Sequence, residues 1–299
     1  MSLMSKDELP EGSWDSHVHV VDEARFPLHE LHPYRPQKAD LDDFLRFESS
    51  QGISHVCLVA FSVYHTDNSS IIDALTRLGG KGRAVVCIDP ESITDEELQR
   101  LHQFGARGVR LNLRTRGERV DTHVFESLLR QYAKRLRPFG WAIQLYVALD
   151  QIDQVADVIP TLGLPVVIDH IGFPDSKKGP AASQLGYEAF MTLLKSGNVW
   201  TKLSAVYRFD DLPDLDEYAT EILRTAPNRV VWASDWPHSG EYRKVDDHAW
   251  IARCKAWCRK VEGGSGENLI RKIWRDNPRA LWQYNEDVRH TSLFNESRL

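Results

Sequence analysis

The chain has 299 residues, 42% of them hydrophobic and 27% charged, with a formal net charge of −6. That balance suits a folded globular protein and excludes a disordered or fibrous one. An acidic total without a basic run leaves nothing to track a phosphate backbone, and no apolar run approaches the roughly 20 residues of a membrane span, so neither nucleic acid nor membrane is an expected partner.

In chain order, β-rich apolar runs fall at 14–21, 54–61, 83–88, 108–113, 142–147, 165–171, 199–203 and 229–233. Between them lie amphipathic segments with helical spacing at 40–51, 68–78, 94–104, 122–137, 152–159 and 187–195. Strands alternating with helices imply βαβ units and a parallel sheet. Runs such as Val166-Val167-Ile168 are apolar at successive positions, as a sheet buried on both faces requires. Eight such units fit a single-domain α/β (β/α)8 TIM barrel better than an open sheet. No linker rich in Pro, Gly or Ser divides the chain, so the barrel is expected over 13–284, with an N-terminal extension at 1–12 and a polar tail at 285–299.

The cysteines form no framework. Cys57 and Cys87 sit in strand-like runs, while Cys254 and Cys258 share a helical stretch without a second ligand pair at zinc-finger spacing. The start, MSLMSKDELPEGS, has no signal-peptide core, so the expected compartment is the reducing cytoplasm.

Barrel enzymes place their chemistry at the C-terminal ends of the strands, and here those ends are polar. The first carries Asp15-Ser16-His17-Val18-His19. On a strand the two histidines share a face, where imidazoles can clamp a metal ion or polarise a carbonyl. The second leads into Ser62 and His65–Asn68; the fourth carries Arg110 and Asn112, with Arg114 and Arg116 beyond. The fifth carries Gln144 and Tyr146, the sixth Asp169-His170, the seventh Lys202, Ser204 and Arg208, and the eighth Asp235 and His238. Each has a plainer reading: Arg110 and Lys202 can serve a structural ion pair, and Asp67 or Asn68 can cap the next helix. Together they indicate a site, because buried ionisable groups cost stability unless paired.

The segments DSHVHV (15–20), HTDN (65–68), GVRLN (108–112), GWAIQLY (140–146), VVIDHIGFPD (166–175), VVWASDWPH (230–238) and DNPRALW (276–282) resemble the amidohydrolase superfamily. The likeness is greatest to the branch of 2-pyrone-4,6-dicarboxylate lactonase and related sugar lactonases. The resemblance implies that Asp235 is the general base toward water and that His17, His19 and His170 polarise the carbonyl. It assigns Arg110, Arg116 and Arg208 to substrate carboxylates and Tyr146 and Ser62 to substrate contact; His238 is a second candidate for returning the proton. A binuclear metal centre is not expected, because the fourth and fifth strands offer Asn112, Gln144 and Tyr146 in place of its bridging and terminal ligands. No cofactor is required, although His17, His19, His170 and Asp235 would suffice for one zinc ion. Phe173 stands where the dicarboxylate lactonase has an arginine, which implies a smaller, less charged lactone. The expected activity is ring opening of a small anionic lactone. Two alternatives are a zinc-dependent decarboxylase of an aromatic or muconate-type acid and a non-catalytic small-molecule-binding barrel. A homo-oligomer is compatible with the sequence.

Overall fold

The computed structural model describes residues 8–32, 34–113, 121–240 and 245–285. Most of the two expected flanking segments, and Arg114 and Arg116, lie outside the described residues. Eight parallel strands follow one another around a barrel in chain order: β1 (Trp14–Val18), β2 (His55–Val59), β3 (Gly82–Val86), β4 (Ala106–Asn112), β5 (Ala142–Tyr146), β6 (Val166–Ile168), β7 (Val199–Leu203) and β8 (Val230–Trp232). Each strand pairs with the next. The expected (β/α)8 barrel is therefore what the chain forms.

The connections carry α1 (Leu41–Gln51), α2 (Ser69–Arg77), α3 (Asp95–Phe104), α4 (Thr122–Leu136), α5 (Leu149–Ile152), α6 (Tyr187–Ser196) and α7 (Leu215–Thr225). After β8 come α8 (Asp247–Glu262), α9 (Glu267–Arg271) and α10 (Asn277–Leu281). Local chemistry sets several starts: Asp40 accepts from the Asp43 amide, Thr94 from Glu97, and Asp121 from His123 and Val124. Asp67 likewise accepts from the Ser69 amide, whereas Asn68 ties itself to both the amide and the carbonyl of Cys87. The helix expected at 152–159 is instead broken into α5 and 3-10 turns at Asp153–Val155 and Ile159–Thr161. Pro160 has no amide proton to continue a ladder there.

The core has two layers. Outside the sheet, Val56, Leu58, Val109, Leu111, Ile143, Leu145, Ile168 and Trp232 pack against the helices. Inside, Trp14, Cys57, Val59, Val85, Val167 and Val231 pack on Leu281 and Trp282, which close the N-terminal end. No cysteine is in a disulfide, and no described helix is long and apolar enough to cross a membrane.

The ring closes where β1 meets the chain just beyond β8. Val18 bridges Trp236, the Asp235 amide donates to the His17 carbonyl at 3.0 Å, and the His19 amide donates to the Trp236 carbonyl at 2.9 Å. Behind this seam the Asp15 carboxyl accepts from the amides of His17 (3.1 Å) and Ser234 (3.2 Å). Burial raises its pKa from 3.8 to about 7. Glu48 of α1, buried beside it, is pushed well above 4.5, first by burial and then by Asp15. Two adjacent buried carboxyls cannot both ionise.

These two acids hold protons in the folded state that the unfolded chain has released. Their stabilisation is complete below the unfolded-state values and is lost as pH rises through the folded-state values, near 7 for Asp15. The thermal midpoint should therefore fall between pH 5 and pH 8. In Glu48→Gln that fall should be visibly shallower, measured by calorimetry across the same range. Equal slopes in the two proteins would refute the assignment.

Candidate active site

The first strand needs one irregularity to build the site. Trp14 and Asp15 sit opposite His55 and Val56, but Val18 sits opposite Leu58, so β1 holds one residue more than β2 across this span. This bulge shifts the alternation. Trp14 faces the barrel interior, Asp15 and Val18 face outward, and His17 and His19 both return to the interior. Ser16 accepts from the Trp282 indole at 3.3 Å. The shared face expected of the histidines is observed, and the bulge decides that the face is the inner one.

Beneath the histidines lies a buried polar floor. Lys202 of β7 donates to Gln144 Oε1 of β5 at 2.7 Å and lies 3.4 Å from Asp169 Oδ1, while its ammonium also stands over the Trp282 ring. Gln144 Nε2 donates to the other Asp169 oxygen at 3.0 Å. Arg110 of β4 approaches the same oxygen at 3.9 Å and donates to the Ala60 carbonyl at 3.0 Å. Burial lowers the pKa of Lys202 and the charge of Asp169 opposes it. The ion pair that sequence allowed for Arg110 and Lys202 thus exists through Asp169, which serves both.

The histidines stand on this floor. His17 Nε2 lies 3.3 Å from His19 Nε2 and 3.5 Å from Asp235 Oδ1. His19 Nδ1 is 2.7 Å from the Val59 carbonyl. A carbonyl only accepts, so Nδ1 carries the proton and Nε2 presents a lone pair. His170 Nδ1 contacts Ser204 Oγ at 2.7 Å. Burial drives all three imidazoles well below their ordinary pKa, and nearby cations add to this. They are neutral at physiological pH.

Asp235 faces them. Tyr207 donates to its Oδ2 at 2.6 Å, and Arg208 stands 3.6 Å from the same atom while donating to the Ser239 carbonyl at 2.6 Å. Burial raises the pKa of Asp235; Arg208 and Tyr207 pull it back. Such a carboxyl is more basic than an ordinary one, a property that a general base needs. The chain turns sharply to aim these groups. His170, Ile171, Phe173, Ala205 and Asp235 all have φ between 48° and 66°, a left-handed region that L residues seldom occupy and that clusters at functional sites.

Above lies a cavity of about 340 Å³ lined by His19, His170 and Asp235, with aromatic walls from Tyr34, Phe61, Tyr146 and Phe173. Arg110, Arg208, Ser62 and Asn112 supply its other polar groups, and Asn112 donates to Ser62 Oγ at 2.8 Å. The size falls at the low end of the roughly 300–1,000 Å³ typical of small-molecule sites. Of the residues expected from sequence, His19, His170, Asp235, Arg110, Tyr146, Arg208 and Ser62 converge here. His17 lies fully buried beneath them. His238 does not join them: its Nε2 lies 3.2 Å from Asp247 and its ring stands edge-on to Tyr207. Arg116 lies outside the described residues. Sequence reasoning missed Tyr207 and Tyr34. The first neighbours Arg208 at the end of β7, a position that invited attention; the second sits in an irregular connection whose spacing carries no signal.

Among the described residues, two groups of side chains approach a metal-ligand arrangement, His17–His19–Asp235 and His17–Asp169–His170. Both depend on His17. Its Nδ1 lies 3.2 Å from Lys202 Nζ, an ammonium with donors only. Nδ1 must then accept, and the ring proton sits on Nε2, the atom an ion would need as a lone pair. As the side chains stand, the donor set does not fit a resident ion.

Residues 14–283 match the family model described as Amidohydrolase. The chain is 33% identical over 285 residues to 4-sulfomuconolactone hydrolase of Rhizobium radiobacter, covering 92% of this chain and 91% of that protein. It is 30% identical over 245 residues to 2-pyrone-4,6-dicarboxylate hydrolase of Comamonas testosteroni, covering 77% and 78%. Among solved structures, a candidate 2-pyrone-4,6-dicarboxylic acid hydrolase of Pseudomonas putida superposes with a TM-score of 0.78 at 28% identity, covering 92% of this chain and 98% of that one. A zinc-bound amidohydrolase of Burkholderia multivorans shares the fold, with a TM-score of 0.66 at 18% identity over 91% of this chain and 99% of that one.

The floor also generates a stability expectation. Asp169→Asn removes the counter-charge of a buried ammonium, so it should destabilise the protein by about 3–5 kcal/mol. Urea unfolding measures this, and a loss well under 1 kcal/mol would show that Asp169 is not the partner of Lys202.

Proposed function

Because the chain belongs to the amidohydrolase family, we propose that it is a hydrolase opening the ring of a small anionic lactone, with Asp235 as general base. The observation that carries this reading is the buried carboxyl of Asp235, beside His17 and His19, at a cavity that His170 and two arginines also line. The lactone ring lies between the aromatic walls. Its anionic substituent meets Arg110 and Arg208 in charge-assisted hydrogen bonds, and Arg116 is assigned to the same task by its place in the family pattern. Phe173, whose ring centroid is 5.4 Å from that of Tyr146, fills apolar space where a further guanidinium would bind a second carboxylate. The substrate is accordingly a lactone with fewer charges than a pyrone dicarboxylate.

Asp235 takes a proton from water as the water oxygen attacks the carbonyl carbon. His170 Nδ1 pairs with the Ser204 hydroxyl at 2.7 Å, and in the tautomer in which Ser204 is the donor His170 keeps an Nε2–H to stabilise the oxyanion. His17 steadies Asp235 and His19 from below. Collapse breaks the bond between carbonyl carbon and ring oxygen, and Asp235 returns its proton to that oxygen. The product is an open-chain hydroxy acid or its keto tautomer. No step passes through a metal ion. The decarboxylase and binding-protein readings have no support from the two curated relatives above, both named as hydrolases.

A panel of sulfonated and carboxylated muconolactones, pyrone carboxylates and sugar lactones tests the activity. On the best substrate, Asp235→Asn should lower kcat by about 100-fold or more with the fold intact; unimpaired turnover would sink the assignment of the base. Tyr207→Phe removes a hydrogen bond to the ionised form of Asp235, so the acidic limb of the kcat/KM profile should move to higher pH, by on the order of one unit. A limb that stays in place or moves to lower pH would mean that Asp235 is not the group it reports.

A further inference from the structure

Lys202 is wholly buried, does not line the cavity and is not needed for any step above. Its surroundings are nonetheless specific. Three acceptor atoms surround Nζ: Gln144 Oε1 at 2.7 Å, His17 Nδ1 at 3.2 Å and Asp169 Oδ1 at 3.4 Å. An ammonium has three N–H donors and no lone pair; Gln144 Oε1 and His17 Nδ1 accept from it, and Asp169 Oδ1 lies at ion-pair distance. The same Asp169 oxygen lies 3.4 Å from His17 Nδ1 and has no hydrogen-bond partner at ordinary distance.

His17 therefore stands between two states. If Nδ1 carries the proton, it can donate to Asp169 Oδ1, the carboxylate–imidazole pairing that orients metal-binding histidines, and Nε2 becomes a lone pair. That lone pair would join Nε2 of His19, already proton-free because Nδ1 serves Val59, and Asp235 Oδ1. If Lys202 is present, an Nδ1–H would place two donors 3.2 Å apart in a buried site, where such a conflict is costly. The ammonium thus selects Nε2–H.

We infer that Lys202 is a positioning residue that holds His17 as a hydrogen-bond donor and thereby blocks zinc from the His17–His19–Asp235 cluster. Its side chain separates a metal-independent site from a latent zinc site built of the same residues. The inference concerns the site assigned above to lactone hydrolysis, but neither of its tests involves a substrate.

The first test is zinc affinity of the full chain, stripped of metal and titrated with zinc chloride in competition with a chromophoric chelator. Lys202→Met keeps length while removing the donors. It should bind one equivalent of zinc at least about 10-fold more tightly than the parent, the scale on which partners behind a ligand histidine act. Adding Asp169→Asn to that variant should return most of the gain. Misfolding does not create a tight single site, so a gain cannot be structural damage. The second test uses the unaltered protein, with ¹⁵N-labelled histidine and long-range proton–nitrogen correlation spectra. His17 should appear as the Nε2–H tautomer and His19 as Nδ1–H. Zinc binding no tighter in a folded Lys202→Met than in the parent would overturn the inference, as would an Nδ1–H tautomer at His17. If Lys202→Met does not fold, the tautomer alone decides. A zinc gain without turnover of any lactone would instead defeat the proposed function and leave the role of Lys202 standing.

Discussion

Everything at the mouth of this barrel depends on how β1 is joined to the chain after β8. A parallel barrel must close on itself, and here closure uses the backbone of residues in the candidate site. The Asp235 amide bonds the His17 carbonyl, and the His19 amide bonds the Trp236 carbonyl. Asp235 and the histidines are therefore held in register by the hydrogen bonds that complete the sheet. Asp15 reinforces the seam from its outer side by binding the Ser234 amide. The extra residue in β1 then turns both histidines inward. A strand without it would present Val18 to the interior in place of the two histidines.

The polar floor explains how such a site tolerates burial. A lysine, an aspartate, a glutamine and three histidines within one barrel would cost several kcal/mol each if left unpaired. The chain limits that cost in two ways. It satisfies Lys202 and Asp169 largely through each other and through Gln144, and it keeps the imidazoles neutral by burial. Neutral imidazoles suit work on a carbonyl, because each ring then has one donor and one acceptor face. Which face points where is set by fixed groups, among them the Val59 carbonyl at His19 and the ammonium at His17.

Asp235 shows the same balance in its protonation. Burial raises its pKa and so favours the neutral acid, whereas Arg208 and the Tyr207 hydroxyl favour the carboxylate. Arg208 thus stands beside Asp235 and lines the cavity at once, so the charge of a bound anion and the proton affinity of Asp235 would meet at one guanidinium. The aromatic walls set the shape of the cavity, and Phe173 adds apolar surface to it.

The sequence by itself determined the architecture, because apolar runs alternating with helical spacing leave few folds open to the chain. It also determined which strand ends are polar, and so most of the candidate site: His17, His19, His170, Arg110, Tyr146, Arg208 and Asp235 were all legible as residues at those ends. Periodicity could not reveal the bulge in β1, since whether one residue goes unpaired depends on the partner strand. Nor could it seat Lys202 against His17, 185 positions away, or direct Tyr207 to Asp235. His238 shows the same limit in reverse: it lies three residues beyond the base in sequence, but its ring turns to Asp247. Spacing along a strand is a local property, whereas the direction of a side chain after a turn, and the partner across a barrel, are decided only by closure and packing.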